Sequence, residues 1–332
     1  MKPASTFAPL LQRFFTQRLM AQRHVSPNTI ASYRDTFHLL LEFAQRRLHK
    51  PPSSLALSDL DAPLISAFLD DMEQSRGVSA RTRNLRLTAI RSFFRYGAYE
   101  DPVRSGQIQQ VLAIPSKRHD RRLVGFLSRP EIDALLCAPN KQTWDGRRDH
   151  AYLLMALQTG LRLSEMTALR REDIELGRGP HVRCLGKGRK ERCTPLPPQT
   201  VNVLRAWLKE PVRGDCAFLF PNIHGGPMSA DAVQHLVAKH TAAASLQCQT
   251  LQHKRVTPHV MRHTAAMELL QSGVEPVVIA LWLGHESIKT TQIYLDANLA
   301  IKEAALAKMT PIDVIPGRFR PTDQLLQFLK NL

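Results

Sequence analysis

The chain has 332 residues, of which 43% are hydrophobic and 22% charged, a composition typical of a globular protein. Two domains are expected at this length, because one hydrophobic core rarely serves more than about 250 residues. The longest apolar runs, 151–157 and 277–283, have seven residues each. Both runs are far shorter than the roughly 20 residues that a transmembrane helix needs. Arg13, Arg18 and Arg23 interrupt the apolar residues near the N-terminus, which argues against a secretory signal peptide.

The charge of the chain is strongly positive. It has 45 Lys and Arg residues against 29 Asp and Glu, a net charge of +16 and a pI near 10.1. Residues 1–118 contain 17 basic and 9 acidic residues and the remainder 28 and 20, so each part carries a net charge of +8. This distribution favours a polyanionic partner, either nucleic acid or an anionic membrane surface. The five cysteines are scattered without a C-x-x-C pair, which indicates reduced thiols in a cytoplasmic protein.

Residues 1–112 are predicted to be helical. Ser26-Pro27 is typical of a helix start, with Ser as the cap and Pro in the first turn. A second helix is predicted over about 63–73, and a third after Ser79. Hydrophobic residues share one side of the third helix, namely Leu87, Ile90, Phe93 and Phe94. The opposite side, which is either a solvated surface or a DNA contact, carries Arg81, Arg91 and Arg95.

The helical pattern stops at about residue 113. Segment 113–126 contains Pro and Gly, lacks an apolar period and is strongly basic. This composition predicts a linker that is either disordered or in contact with phosphates. Its basic residues are Lys117, Arg118, Arg121 and Arg122.

The second half mixes helices with a short hairpin. A helix start is predicted at 127–131, and an apolar helix over 149–159 that Gly160 closes. Ser164 is predicted to cap a short helix ending at Leu169. Short strands at 181–185 and 191–196 flank a glycine-rich turn, a pattern typical of a β-hairpin. Further helices are predicted at about 197–209, 230–244, 258–271, 276–283 and 287–296.

Several polar residues of this half lie at corners of the predicted structure. Arg162 follows Thr159-Gly160-Leu161 between two helices, and Lys187 lies between two glycines of the hairpin turn. His259 and Arg262 are one turn apart at the start of a helix, where the helix N-terminus favours an anion. His285 follows a glycine, and Tyr294 lies nine residues after it.

Each feature alone has a simpler explanation. A TGLR sequence is compatible with any helical corner, Lys187 with a surface charge, and a lone Tyr with a core position. The spacing of His259 and His263 resembles a zinc-binding helix, but residue 260 is Val rather than Glu and no third ligand stands out. The sequence therefore predicts no metal site, and no single motif identifies a function.

In combination, the motifs resemble the tyrosine recombinase (phage integrase) family, and in particular its Xer-like and mobile-element members. The matching segments occur in the family's order and spacing: TGLRLSE, GKGRKER, PHVMRHT, LWLGH and TQIYLDA. The match is close over 127–300, whereas SPNTIASYRDTFHLLLEFA resembles the family's core-binding domain more loosely. The resemblance implies a mainly α fold with a small antiparallel β-sheet, in the two-domain architecture of these enzymes.

The implied domains are a helical, SAM-like core-binding domain at 1–112, the basic linker at 113–126 and an α+β catalytic domain at 127–310. A tail at 311–332 follows, with an amphipathic segment near its end. In the family, such a segment often docks onto a neighbouring protomer, although packing within the same chain is the alternative.

The resemblance also implies roles in phosphoryl transfer. Arg162 and Arg262 would bind the scissile phosphate, for which the planar guanidinium suits bidentate contact. His259 and His285 would donate further hydrogen bonds or shuttle protons. This set would stabilise the pentacoordinate phosphorus of the transition state.

Three further residues complete the implied site. Lys187 would protonate the 5′-oxygen leaving group, and Tyr294 would attack phosphorus to give a 3′-phosphotyrosine. Glu165 would orient the site or merely support it structurally. The resemblance and the positive charge together also imply DNA contacts, expected at Arg81, Arg91, Arg95, Lys117, Arg118, Arg121, Arg122, Arg189 and Lys190.

No cofactor is expected, because the chain has neither a phosphate-binding G-x-x-x-x-G-K-[ST] motif nor an obvious carboxylate cluster for a metal. The implied partner is a double-stranded DNA recombination site. The protein is expected to be a monomer in solution and to assemble as a homotetramer on paired sites. The alternatives are a nicking and closing enzyme of the type IB topoisomerase kind and a non-catalytic architectural DNA-binding protein. The complete set of six catalytic-type residues argues against the last of these.

Overall fold

A computed structural model of the chain describes residues 7–119, 125–186, 191–211 and 217–284. The chain divides into two compact units, residues 1–121 and residues 122–332. The described residues are mainly helical, with one small antiparallel sheet, so the predicted fold class is confirmed. None of the helices in these ranges has both the length and the apolar character that crossing a membrane requires.

The helices of the first unit begin at polar caps. Ser26 accepts a hydrogen bond from the backbone N–H of Thr29 at 3.3 Å, which confirms the helix start predicted there. Asp61 and Ser79 cap the two following long helices in the same way. The elements are α1 Phe7–Arg13, a π-helical segment Phe14–Gln22, α2 Pro27–Leu48, α3 Ala62–Gln74, α4 Ala80–Glu100 and α5 Ser105–Ala113.

Aromatic rings form the centre of the first unit. Phe93 of α4 meets Phe7, Phe14 and Phe37 edge-on, with ring centroids 5.3–5.5 Å apart. Phe7 and Phe14 precede Ser26, so the structure adds helical residues before the first helix that the sequence predicted. Arg13, Arg18 and Arg23 interrupt the apolar residues of this segment and so conceal its apolar face in the sequence.

The second unit agrees closely with the predicted helices. The predicted ranges 258–271 and 276–283 match the observed helices, whereas the predicted helix at 287–296 lies outside the described residues. The elements are α6 Arg129–Cys137, α7 Trp144–Thr159, α8 Leu163–Ala168, β1 Ile174–Glu175, β2 His181–Leu185, β3 Glu191–Pro195, α9 Pro198–Leu208, α10 Ala230–Ser245, α11 Pro258–Gln271 and α12 Pro276–Leu283.

Helix α7 is the centre of this unit. Residues 151–157 are all buried, and α7 packs against α6, α9 and α11. The strands pair in the order β1-β2-β3, and Cys184 of β2 lies opposite Arg192 of β3. Val182 and Cys184 face the core, whereas Arg183 points to the exposed side. Arg192 is therefore on the core side of the hairpin.

A buried group of hydrogen bonds joins α7 to α10. Asp149 accepts hydrogen bonds from the Arg148 guanidinium at 2.8 and 3.0 Å and from Nε2 of His240 at 2.8 Å. The side chains of Asp149 and His240 are each 4% exposed. Burial alone would raise the pKa of Asp149, but its contacts with His240 and Arg148 lower it below the ordinary value.

We expect Asp149→Asn to lower the free energy of unfolding of the second unit by about 3–5 kcal/mol at pH 7, because the change removes the carboxylate that pairs with the guanidinium of Arg148, which is only 12% exposed. The pKa of Asp149 is lowered on folding, so its contribution is complete above its unfolded pKa of about 4 and is lost at lower pH. The measurement is denaturation followed by Trp fluorescence, since all three tryptophans lie in this unit. The control is Asp133→Asn, whose exposed carboxylate should matter little. Equal stability of the two variants at pH 7 would contradict the prediction.

Candidate functional site

A glycine corner places Arg162. Gly160 ends α7 with φ of 62°, a left-handed conformation that favours glycine. A Cβ there would lie 2.6 Å from Cδ2 of Leu283 and 3.1 Å from Cβ of Ala265, so close packing also requires glycine. The tight turn brings Arg162 to the start of α8, within reach of the end of α12.

Arg162, not Ser164, caps α8, so the predicted cap was wrong. The carboxylate of Glu165 accepts the backbone N–H of Arg162 at 2.7 Å. A Ser cap accepts the backbone N–H two or three residues after it, whereas the carboxylate of Glu165 reaches back to the backbone N–H of the cap residue itself. The helix therefore starts two residues earlier than predicted. Ser164 then lies inside the first turn.

The same Glu165 carboxylate binds two arginines. It accepts from Nη1 of Arg162 at 3.0 Å and from Nη1 and Nη2 of Arg192 at 2.9 and 2.7 Å. Burial would raise the pKa of Glu165, but the hydrogen bonds from Arg192 and Arg162 outweigh it and lower the pKa to about 2. Glu165 is thus ionised at any working pH.

Arg262 is held by main-chain carbonyls. It lies on α11, is only 5% exposed and donates to the carbonyl oxygens of Gly160 at 2.5 Å and Leu283 at 2.7 Å. Arg162 donates in the same manner to the carbonyl of Gly284 at 2.7 Å. The two guanidinium groups therefore share the carbonyl end of α12 and have fixed orientations.

His259 lies in the first turn of α11, which the hydroxyl of Thr257 caps by accepting the N–H of Val260 at 3.2 Å. The ring of His259 is exposed, and its Nε2 is 2.8 Å from Nε2 of the buried His263. Because one imidazole must donate and the other accept in this contact, the pair shares a proton at that position.

These three predicted residues meet in one cavity of about 320 Å³. It is lined by Arg162, Leu163, Gln234, Thr257, Pro258, His259 and Arg262. Two guanidiniums, an imidazole and a helix N-terminus together provide positive charge and directed donors, which suits an oxyanion such as phosphate. The other predicted catalytic residues, Lys187, His285 and Tyr294, lie outside the described residues.

Sequence reasoning missed two residues of this site. Arg192 is the second residue of the strand that follows the predicted basic turn. The alternation of side chains along that strand, which places Arg192 on the same side as Cys184, was available in the sequence. His263 was noticed only as half of a zinc-like spacing. Its contact with His259 follows from their separation of four residues on one helix.

The predicted DNA-contacting residues of the first unit differ in their placement. Arg81, Arg95 and Arg118 are exposed. Arg91 is half-buried and donates to the carbonyl of Ile114 and to the hydroxyl of Ser116. Lys117 pairs with Glu73 at 2.5 Å. The remaining residues of this prediction lie outside the described ranges, namely Arg121, Arg122, Arg189 and Lys190.

Comparison with known families places the cavity inside a recognised domain. Residues 125–300 match the model of the phage integrase family, and residues 12–100 match that of the phage integrase N-terminal SAM-like domain. The first match spans more than half of the chain and contains every residue of the cavity. The second lies within the first structural unit.

Relatives and solved structures agree with these matches. A Sinorhizobium fredii protein with the provisional name integrase/recombinase y4rC is 62% identical over 99% of both chains. Tyrosine recombinase XerD of Yersinia pestis is 32% identical over 86% of this chain and 92% of its own. The XerH site-specific recombinase bound to a palindromic difH substrate, in a post-cleavage complex, has a similar fold. Its TM-score is 0.70 at 21% identity, covering 86% of this chain and 81% of that chain.

Proposed function

Because the chain belongs to the phage integrase family, we propose that it is a tyrosine site-specific recombinase that cleaves and rejoins the strands of duplex DNA through a 3′-phosphotyrosine. The observation that carries the proposal is the cavity shared by Arg162, His259 and Arg262. These residues come from two helices more than 90 positions apart in the sequence. Their convergence provides the donors that a scissile phosphate requires.

In the proposed reaction the arginines hold the phosphate and stabilise its extra negative charge in the transition state. Main-chain carbonyls fix the guanidinium groups of Arg162 and Arg262 at the cavity, and in the proposed reaction both groups donate to the phosphate oxygens. Because these contacts are made before DNA binds, little reorganisation accompanies the reaction. His259 donates to the same phosphate or relays a proton.

The covalent step exchanges one ester for another. The hydroxyl oxygen of Tyr294 forms a bond to phosphorus as the bond from phosphorus to the 5′-oxygen breaks. The tyrosine gives up its proton to a neighbouring base, for which His259 and His285 are the candidates, and Lys187 supplies a proton to the departing 5′-oxygen. The phosphotyrosine preserves the energy of the phosphodiester, so a second 5′-hydroxyl can reverse the step on another strand.

The test is covalent trapping on a nicked duplex from which the short 5′-hydroxyl strand diffuses away after cleavage. The wild-type protein should form an adduct that survives SDS and retains a label placed on the strand 5′ of the cut. Adduct labelled only on the other side of the cut would refute the proposed polarity. Failure to form any adduct on the cognate site would refute the proposed function.

The proposal divides the work between the predicted domains. The domain at 1–112 and the linker at 113–126 contribute exposed cations for phosphate contact, foremost Arg81, Arg95 and Arg118. The domain at 127–310 carries the chemistry. Arg91 supports DNA binding indirectly, because it fixes the start of the linker against α4.

We also propose that the protein works in the cytoplasm as a homotetramer on paired sites and acts on a mobile element. Cys137, Cys184, Cys193 and Cys248 are free thiols, as a reducing compartment maintains them. Recombination exchanges strands between two duplexes, so two sites with two protomers each are the minimum. The Sinorhizobium fredii relative carries the name integrase/recombinase, which supports the integration of a DNA element.

Deletion of residues 321–332 should weaken cooperative binding to paired sites and leave affinity for a single site unchanged. The physical reason is that the sequence pattern of Leu325, Leu326, Phe328 and Leu329 predicts a helix with an apolar stripe that would suit a neighbouring protomer. Gel shifts on one-site and two-site duplexes measure both quantities. A matched control replaces Gln324 and Gln327 by Ala and keeps the stripe. Unchanged cooperativity after the deletion would show that the tail packs within its own chain.

A further inference from the structure

Arg192 has an unusual position for a charged residue. Its side chain is 13% exposed on the core side of β3, and both terminal nitrogens donate to Glu165, which is 3% exposed. Removing two charges from water is costly, and a buried ion pair often adds no net stability over well-packed apolar residues. The pair therefore needs an explanation other than stability.

The balance of charge around Glu165 explains why the pair is present. Glu165 contacts both Arg162 and Arg192, and the buried Cys184 thiol lies nearby with a pKa that burial raises to about 11, so it stays neutral. Two cations and one anion leave a net charge of +1. Without Arg192, the Glu165 carboxylate would neutralise Arg162 alone, and Arg162 would present little net charge to a phosphate.

Arg192 also contacts the end of α12. A Cβ at Gly284 would lie 2.8 Å from Nη1 and 3.0 Å from Cζ of Arg192, so the guanidinium packs directly against the glycine. Gly284 has φ of 64°, and its carbonyl accepts the hydrogen bond from Arg162. Arg192 thus contacts both of the groups that orient Arg162.

We propose that Arg192 is a positioning residue of the reaction, which offsets the charge of Glu165 and fixes Arg162 for the scissile phosphate. The inference rests on the proposed recombinase function. Arg192 does not line the cavity and acts only through Arg162. Its effect is therefore on the rate of cleavage and not on the affinity for DNA.

The test compares single-turnover cleavage by the full-length wild type and the Arg192→Met variant on the nicked duplex. We expect Arg192→Met to cleave about 100-fold more slowly, as small misplacements of a catalytic group do, with unchanged DNA affinity. Arg183→Met is the matched control. Arg183 lies on the exposed side of the same hairpin and donates to the carbonyl of Glu172, so its loss should not alter cleavage.

A second variant separates charge balance from mere support of the fold. Adding Glu165→Gln to Arg192→Met removes the anion that now neutralises Arg162. This double variant should cleave about tenfold faster than Arg192→Met alone, within the usual range of coupling between contacting residues. A purely structural role for Arg192 would make the double variant equal to or slower than the single one, and that result would overturn the proposal.

Other results are equally decisive. Adduct formation by Arg192→Met at the wild-type rate would overturn this inference alone, since the recombinase function would stand. No adduct with the wild type would overturn the recombinase function and this inference with it. If Trp fluorescence shows that Arg192→Met does not fold, Arg192→Gln carries the same test, because it removes the same charge and remains polar.

Discussion

We expect the replacement of Tyr294 by Phe to abolish the covalent adduct and to leave DNA binding intact. Phe retains the aromatic ring but has no oxygen that can form a bond to phosphorus. An unperturbed phenol has a pKa of about 10, so attack as a phenolate would need the cationic residues of the proposed site, which this variant preserves. Of the five tyrosines, Tyr294 alone follows the cationic residues in the sequence, whereas Tyr33, Tyr96, Tyr99 and Tyr152 all precede Arg162.

The measurement is SDS-resistant adduct on the nicked duplex, with a gel shift for binding. Tyr99→Phe is the matched control, because Tyr99 is 83% exposed and lies in the first unit. Its adduct should equal that of the wild type. Equal adduct with Tyr294→Phe would exclude Tyr294 as the nucleophile.

Arg262→Lys is expected to lower the cleavage rate about a thousandfold or more, the effect of removing an arginine that stabilises a transferring phosphoryl group. Arg262 spans the carbonyls of Gly160 and Leu283 with two nitrogens. A lysine ammonium is a single point and cannot bridge both carbonyls while also reaching a phosphate. DNA affinity should change little, since many exposed cations contribute to it.

The control for this variant is Arg205→Lys. Arg205 also donates to a backbone carbonyl, that of Leu176, but lies outside the cavity. Trp fluorescence verifies that both variants are folded. A folded Arg262→Lys protein that cleaves at the wild-type rate would refute the phosphate-binding role of Arg262.

The helices of the second unit were predictable because their local signals agree with the fold. Pro258 and Pro276 stand at first turns, Gly160 and Gly284 at helix ends, and the apolar run of α7 is buried. These signals need no information from distant residues. The two-residue strand β1 had no such signal, since only its pairing with β2 defines it.

Some of the residues that meet at the site were predictable from the sequence, but the contacts between them were not. Arg162, His259 and Arg262 share a cavity as the motifs implied. Arg192 of β3 donates to Glu165 of α8, and this contact joins elements that are distant in the sequence. The local sequence pattern of either element cannot reveal it. The same limit applies to Arg91: its position opposite the apolar side of α4 suggested a DNA contact, but residues 114–116 return to cover it.

The partners of Arg162 and Arg262 at the end of α12 are carbonyl oxygens, which every amino acid provides. Because the acceptors are main-chain atoms, the contacts do not depend on which amino acids provide them. An alignment of related sequences would therefore show no covariation for these contacts. The constraint falls instead on Gly160 and Gly284, where an added methyl group would collide with Leu283 or Arg192. Directed evolution of a new target site can therefore vary the exposed residues proposed to contact DNA while these two glycines are held constant.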